Sequence, residues 1–114
     1  MSRPRRRDEL RNRALVFAAL GDETRLSLVG KVAGAPPQSI SKLCEGSSLT
    51  RQAITKHLRV LEGAGIVCGV RAGRESQFAF QPEPFKELSA YLEQVSSQWD
   101  DALTRLKSFV EKDA

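Results

Sequence analysis

The chain has little of what most chemical sites are built from. Its 114 residues include two cysteines and one histidine, too few for the four thiolate and imidazole ligands that a zinc-class metal usually takes. There is no Gly-rich phosphate loop, no nucleophile in a recognisable motif and no paired-carboxylate site, which sets enzymes aside. Gly63-Ala64-Gly65 is a helix stop, not a dinucleotide fingerprint. No apolar run approaches the roughly 20 residues that cross a bilayer, and the basic N-terminus lacks the apolar segment and cleavage site of a signal peptide. The expectation is a cytoplasmic protein with no cofactor and no membrane partner. Internal repeats and low-complexity linkers are also missing, and the length allows one small domain over residues 1–114.

What is present is charge, unevenly placed. The net charge is +4. Residues 1–50 hold nine Lys/Arg and five Asp/Glu, residues 51–74 five and one, and residues 75–114 four and eight. The front of the chain is therefore cationic and the tail anionic, as suits a surface that meets a polyanion at one end only. The arm Ser2-Arg3-Pro4-Arg5-Arg6-Arg7 reads either as a solvated tail or as an extra phosphate contact.

Residues 49–74 are the most informative. In Leu49-Thr50-Arg51-Gln52-Ala53-Ile54-Thr55-Lys56-His57-Leu58-Arg59-Val60-Leu61, residues Ile54, Leu58 and Leu61 recur at i, i+4 and i+7 and make one apolar helix face. Arg51, Gln52, Thr55, Lys56 and Arg59 share the opposite face, with three cations and no acid. Arg, Gln and Thr are side chains that read base edges in a major groove, and Lys serves base or phosphate. Thr50 is a good N-cap that also stands near phosphate. Just before it, Ser39 to Glu45 can form a short helix with Ile40 and Leu43 inward, broken by Gly46-Ser47-Ser48. Two short helices joined by a tight turn make a helix-turn-helix over residues 39–64, the second presenting its N-terminal end to the groove. Cys44 falls where a small side chain lets the two helices cross, whereas Ser47 sits where an apolar residue would usually pack.

After the helix stop, Ile66–Arg71 and Glu75–Phe80 look extended, with Ala72-Gly73 as the turn of a hairpin. Arg71 and Arg74 flank its tip, within reach of backbone or minor groove. Upstream, Asp8 to Leu20 looks helical with Leu10, Ala14 and Phe17 on one face. Asp22 caps a second helix containing Leu26, Val29 and Val32, and Gly34-Ala35-Pro36-Pro37 is a break. Downstream of Gln81-Pro82-Glu83-Pro84, the residues Phe85, Leu88, Leu92, Val95, Trp99, Ala102, Leu106 and Phe109 are spaced 3, 4, 3, 4, 3, 4, 3. This a/d seam lasts more than three heptads in a helix over 84–112. Its length predicts a homodimer, packed along this seam and against the first helix; a seam packed within one subunit is the alternative. A two-fold reader also suits paired half-sites about one helical turn apart. The fold expected is mainly α with a small β-wing, in the order α-α-α-α-β-β-α.

At this point the chain resembles the ArsR/SmtB family of winged-helix repressors. Phe17-Ala18-Ala19-Leu20-Gly21-Asp22-Glu23-Thr24-Arg25-Leu26 looks like the family's entry segment, with Glu23 where proline is usual. Residues 49–67 resemble its recognition helix and the start of its wing, and Arg71-Ala72-Gly73-Arg74 its wing tip. Trp99-Asp100-Asp101-Ala102-Leu103-Thr104-Arg105-Leu106 resembles one branch's dimer helix. The resemblance implies a dimeric repressor that leaves its double-stranded DNA operator when a ligand, metal or oxidant binds. The sensing half departs from the pattern: Ser39 and Ser41 stand where metal-sensing members carry a Cys-Val-Cys pair, and the last helix has no His. Metal sensing of the usual kinds is thus not expected.

Other candidates have plainer readings. Cys44 and Cys68 suggest two structural thiols, reduced by default in a cytoplasm; a redox-responsive pair is the alternative, with Cys68 near Arg71 the more reactive. His57 reads as a helix-packing residue, with a phosphate contact as the alternative. Trp99 and Tyr91 read as seam residues, or as the lining for a small hydrophobic effector. A rival from another class is a winged-helix protein-binding adaptor; the acid-free face of the recognition helix argues against it.

Overall fold

The computed structural model describes residues 6–113. The elements are α1 (Arg6–Leu20), α2 (Glu23–Val32), β1 (Gln38–Ser39), α3 (Ile40–Cys44), α4 (Arg51–Gly63), β2 (Val67–Ala72), β3 (Glu75–Phe80) and α5 (Glu83–Asp113). They fall into two compact units that part between Pro84 and Phe85. Most of the basic arm lies outside the described residues. Its last part does not: α1 begins at Arg6, so residues 6–8 are helix rather than arm.

Local chemistry sets the helix starts. The Asp22 carboxylate accepts the Arg25 N–H at 2.9 Å, the Ser39 hydroxyl accepts the Lys42 N–H at 3.1 Å, and the Thr50 hydroxyl accepts the Ala53 N–H at 3.0 Å. All three caps have extended backbone, and each satisfies one of the four N–H groups a helix start leaves unbonded. Between α3 and α4 the chain turns through Gly46 at φ +78°, a left-handed conformation that glycine adopts without steric cost. Ser47, polar where an apolar residue was expected to pack, instead turns its hydroxyl onto the Leu49 N–H at 3.0 Å, which shapes the entry into α4.

The core of the first unit is built around α4. Ile54, Leu58 and Leu61 are 0–1% exposed, as their spacing required. The rest of this core is Val16 and Ala19 of α1, Leu28 and Val32 of α2, Ile40 and Leu43 of α3, and Ile66, Val67 and Phe78 of the wing, all of them buried. The inner faces of the first two helices differ from expectation. On α1 the Leu10, Ala14 and Phe17 row is exposed, and Val16 and Ala19 point inward instead. On α2 it is Leu28, not Leu26, that is buried with Val32; Leu26 is exposed. Both helices have apolar residues on more than one face, so spacing alone does not say which face the core takes.

The wing is a three-stranded antiparallel sheet in the order β1-β3-β2. Its hairpin pairs Val67 with Phe80 through Ala72 with Glu75. The loop is thus Gly73-Arg74, one residue later than expected, and Gly73 has φ +64°. Glycine at the first position of a two-residue loop is the II′ arrangement, whose twist matches that of the strands. The third strand was not foreseen: Gln38 pairs with Phe78 and Ser39 with Gln77. After Pro36-Pro37 the chain is already extended, and two residues of pairing occupy the open edge of β3.

The second unit is α5 alone, 31 residues long and thus about 46 Å at 1.5 Å per residue. Along its seam Leu88 is buried and Phe85, Val95 and Ala102 are half-buried, while Leu92, Trp99, Leu106 and Phe109 are exposed. No helix among the described residues is long and apolar enough to cross a membrane.

Leu58, fully buried on the inner face of α4, is the sharpest test of this core. Leu58→Ala should lower the unfolding free energy by about 2–5 kcal/mol, read from urea or thermal denaturation; a loss under 1 kcal/mol would mean that α4 is not packed as described.

Candidate nucleic-acid interface

The face of α4 turned away from the core carries Arg51, Gln52, Lys56 and Arg59, all exposed, with Thr55 half-buried among them. These five side chains divide by what already holds them. Gln52 and Lys56 have no hydrogen bond or ion pair among the described residues, so both are free to meet a ligand. Thr55 spends its hydroxyl proton on the Arg51 carbonyl at 2.8 Å, leaving its methyl and its acceptor lone pairs outward. Thr50 is engaged as the N-cap. Arg51 donates from Nη1 to the Ser41 hydroxyl of α3 at 2.9 Å.

Arg59 is the most committed of the five. Its Nη1 lies 2.8 Å from Glu62 Oε1 and its guanidinium 5.8 Å from the centre of the Phe78 ring. Glu62 in turn accepts the Gly69 N–H of β2 at 3.3 Å. Arg59 and Glu62 thereby fasten the end of α4 to the wing, and a phosphate near Arg59 would have to compete with Glu62. In the wing itself, Arg71 reaches the Ser76 hydroxyl at 3.5 Å, while Arg74 at the tip is exposed and has no partner among the described residues.

Beneath this face lies a polar node that sequence reasoning missed. Arg25 of α2 donates from Nε to the Ala19 carbonyl at 2.6 Å and from Nη2 to the Ala18 carbonyl at 3.4 Å, closing the end of α1. Its Nη1 stands 3.1 Å from His57 Nδ1. A guanidinium can only donate, so this nitrogen of His57 accepts from Arg25. His57 is thus a packing residue whose Nδ1 is satisfied, as read from the sequence. Asp22 completes the node, 3.8 Å from the same nitrogen. The Arg25 N–H bond above all holds the Asp22 carboxyl below the ordinary carboxylate range; the Arg25 guanidinium and the His57 ring add to this, and partial desolvation opposes it. Arg25 lies within a family-like segment, but its partners are up to 32 residues away, beyond the reach of any local pattern.

The short helix α3 is also fastened from outside. Lys31 of α2 donates from Nζ to the Leu43 carbonyl at 3.2 Å and the Glu45 carbonyl at 3.3 Å, covering carbonyls that a helix end leaves unbonded. Ser39 and Ser41 each have a local task, one capping α3 and the other holding Arg51. Among the described residues no group of three or more His, Cys, Asp or Glu stands together as a metal site. Cys44 and Cys68 are both free and half-buried. Cys68 Sγ accepts from Gln81 Nε2 at 2.6 Å.

A helix-turn-helix whose second helix exposes Arg51, Gln52 and Lys56 at its outer face, followed by a hairpin with an arginine at its tip, defines a winged helix-turn-helix DNA-binding protein. The comparisons with known proteins agree. A helix-turn-helix domain model matches residues 20–69. An uncharacterised HTH-type transcriptional regulator of Bacillus subtilis, YuzN, is 37% identical over 83 residues, which is 68% of this chain and 90% of the relative. The structure of an ArsR-like transcriptional regulator from Rhodococcus sp. RHA1 superposes with a TM-score of 0.78 at 34% identity, over 90% of this chain and 95% of the other. The homodimeric winged helix-turn-helix domain Mb0332 of Mycobacterium bovis shares the fold at 19% identity, with a TM-score of 0.63 over 86% and 91% of the two chains. The chain belongs to the ArsR-like family of winged-helix transcriptional regulators.

The node at Asp22 gives a pH prediction with a definite sign. A carboxyl held low in the folded chain binds protons less readily there than when unfolded. Its contribution is therefore complete above the ordinary carboxylate range and is lost as pH falls through its folded value. Asp22→Ala should be less stable than the parent at pH 7, with the gap narrowing as the pH is lowered below about 4. A gap that is constant from pH 7 to pH 2.5 in thermal denaturation would show that the charge on Asp22 contributes nothing.

Proposed function

We propose that this regulator is a homodimeric repressor that binds a specific two-fold operator in double-stranded DNA and does so without the family's usual metal sensing. The observation that carries the reading is the outer face of α4. It exposes Arg51, Gln52 and Lys56, and leaves Gln52 and Lys56 without partners among the described residues. Arg suits a bidentate contact to guanine and Gln one to adenine; Lys suits base or phosphate. Thr55 offers its methyl to a thymine. Thr50, Arg59, Arg71 and Arg74 are assigned to the phosphate backbone or the adjacent minor groove, with Arg59 sharing its charge with Glu62.

Dimerisation through α5 is supported by the exposed part of its seam. Trp99, Leu106 and Phe109 are 64%, 58% and 66% exposed, on a row continuous with Phe85, Leu88, Leu92, Val95 and Ala102. An apolar row of this length in water is the mark of an association surface. Mb0332, of the same fold, is described as homodimeric. The absence of metal sensing is supported by the tasks already taken by Ser39 and Ser41.

The defining experiment is fluorescence anisotropy on the protein's own upstream DNA against a scrambled duplex, over a salt series. A preference of several hundred-fold with a steep salt slope is expected; equal binding to both duplexes would reject operator recognition at that site. In the same assay Arg74→Ala should weaken all sequences alike and flatten the salt slope by about one unit, whereas a loss confined to one sequence would contradict a backbone role. Leu106→Glu, at an exposed position where folding is not at stake, should convert the dimer to monomer in sedimentation at micromolar protein. A variant that still sediments as a dimer would remove the seam from the interface.

A further inference from the structure

On the outer face of α4, Arg51 is the residue whose side chain is aimed by another helix. Its Nη1 donates to Ser41 Oγ at 2.9 Å, across the turn that separates α3 from α4. The remaining guanidinium edge, Nε with Nη2, has no partner among the described residues. That edge carries two parallel N–H groups, the pair that fits the O6 and N7 acceptors of guanine.

The position of Ser41 is itself over-determined. Helix α3 has only five residues, too few to hold its shape alone. It is capped at its start by Ser39, clasped at its end by Lys31 through the Leu43 and Glu45 carbonyls, and anchored below by Ile40 and Leu43, both buried. The backbone of Arg51 is equally set: its carbonyl accepts from the Thr55 hydroxyl, and Thr50 caps the helix one residue before it. A long, flexible side chain therefore hangs between two fixed points. Gln52 and Lys56, by contrast, have no partner among the described residues to orient them.

We propose that Ser41 is a positioning residue for sequence recognition: by taking one Nη1–H of Arg51, it presents the Nε–Nη2 edge of that guanidinium to a guanine in the operator. The inference rests on the DNA-reading role assigned above to the outer face of α4. Preorganisation of this kind reduces what binding must spend on ordering a flexible side chain, and here it does so at one base position. Ser41 makes no base contact of its own in this arrangement and acts through Arg51.

The test compares the full-length parent, Ser41→Ala, Ser41→Thr, Arg51→Ala and the Ser41→Ala/Arg51→Ala double variant. Each is measured by anisotropy on the operator, on duplexes in which every guanine of one half-site is replaced in turn, and on a scrambled duplex. The parent should discriminate for one guanine by about tenfold or more, the range of a good bidentate pair. Ser41→Ala should reduce that discrimination about three- to tenfold, with binding to the scrambled duplex and the salt slope unchanged. Ser41→Thr, which keeps the hydroxyl, should retain it. Arg51→Ala should abolish it, and the double variant should match Arg51→Ala. A Ser41→Ala profile identical to the parent's, an equal loss on every duplex, or Ser41→Thr behaving as Ser41→Ala would each overturn the role of Ser41 while leaving base reading by Arg51 intact. An unchanged guanine preference in Arg51→Ala would overturn both, as would a parent with no preference at any guanine.

Discussion

The structure depends on one constraint: the helix that faces DNA is also the centre of the core. Ile54, Leu58 and Leu61 are essentially inaccessible, and α4 touches α1, α2, α3 and β2. These four pack on it directly, and β3 and β1 are placed through β2, α2 and α3. A reading helix held in this way keeps its outer face in a defined orientation, because to rotate it would bring three large apolar side chains into water at about 1.5–3 kcal/mol each. Stability and presentation of the binding face are thus two consequences of the same burial.

Around that centre the protein uses a few polar clasps where apolar contact is scarce. Arg25 joins the end of α1 to α4 through His57. Lys31 joins α2 to the end of α3. Arg59 and Glu62 join the end of α4 to the wing. Each clasp fastens a place where backbone groups would otherwise lack partners or where a small element could shift. A domain with so few core residues has little apolar surface left for these tasks, and hydrogen bonds to backbone carbonyls add direction that packing does not.

Much of this arrangement was legible before any coordinates. The i, i+4, i+7 row of Ile54, Leu58 and Leu61 named the buried face of α4, and its outer face followed from the remaining residues. Thr50 as a cap, Ile40 and Leu43 as the inner side of α3, and a hairpin with glycine at its tip were read from local chemistry. The inner faces of α1 and α2 were not, because apolar residues occur on several faces of each and the neighbour that selects one is distant in sequence. The pairing of Gln38 and Ser39 with β3 was missed for a related reason: two residues carry no alternation, and the partner strand lies some 40 residues on.

The sequence by itself determined the class of this protein. Periodicity, caps and turn residues act over a few residues, so the helix-turn-helix, the wing, the outward row of Arg51, Gln52, Thr55 and Lys56, and the heptad seam of α5 are properties of the chain as written. Tertiary structure decided which of the surface side chains are free and which are held. That Arg59 stands over Phe78, that Glu62 accepts from Gly69, that His57 accepts from Arg25, and that Arg51 is aimed by Ser41 all depend on contacts between elements. The reason is physical: a side chain's reach is set by its own covalent geometry, but its partner is set by where packing brings another helix or strand, and that is a property of the core rather than of any local stretch of sequence.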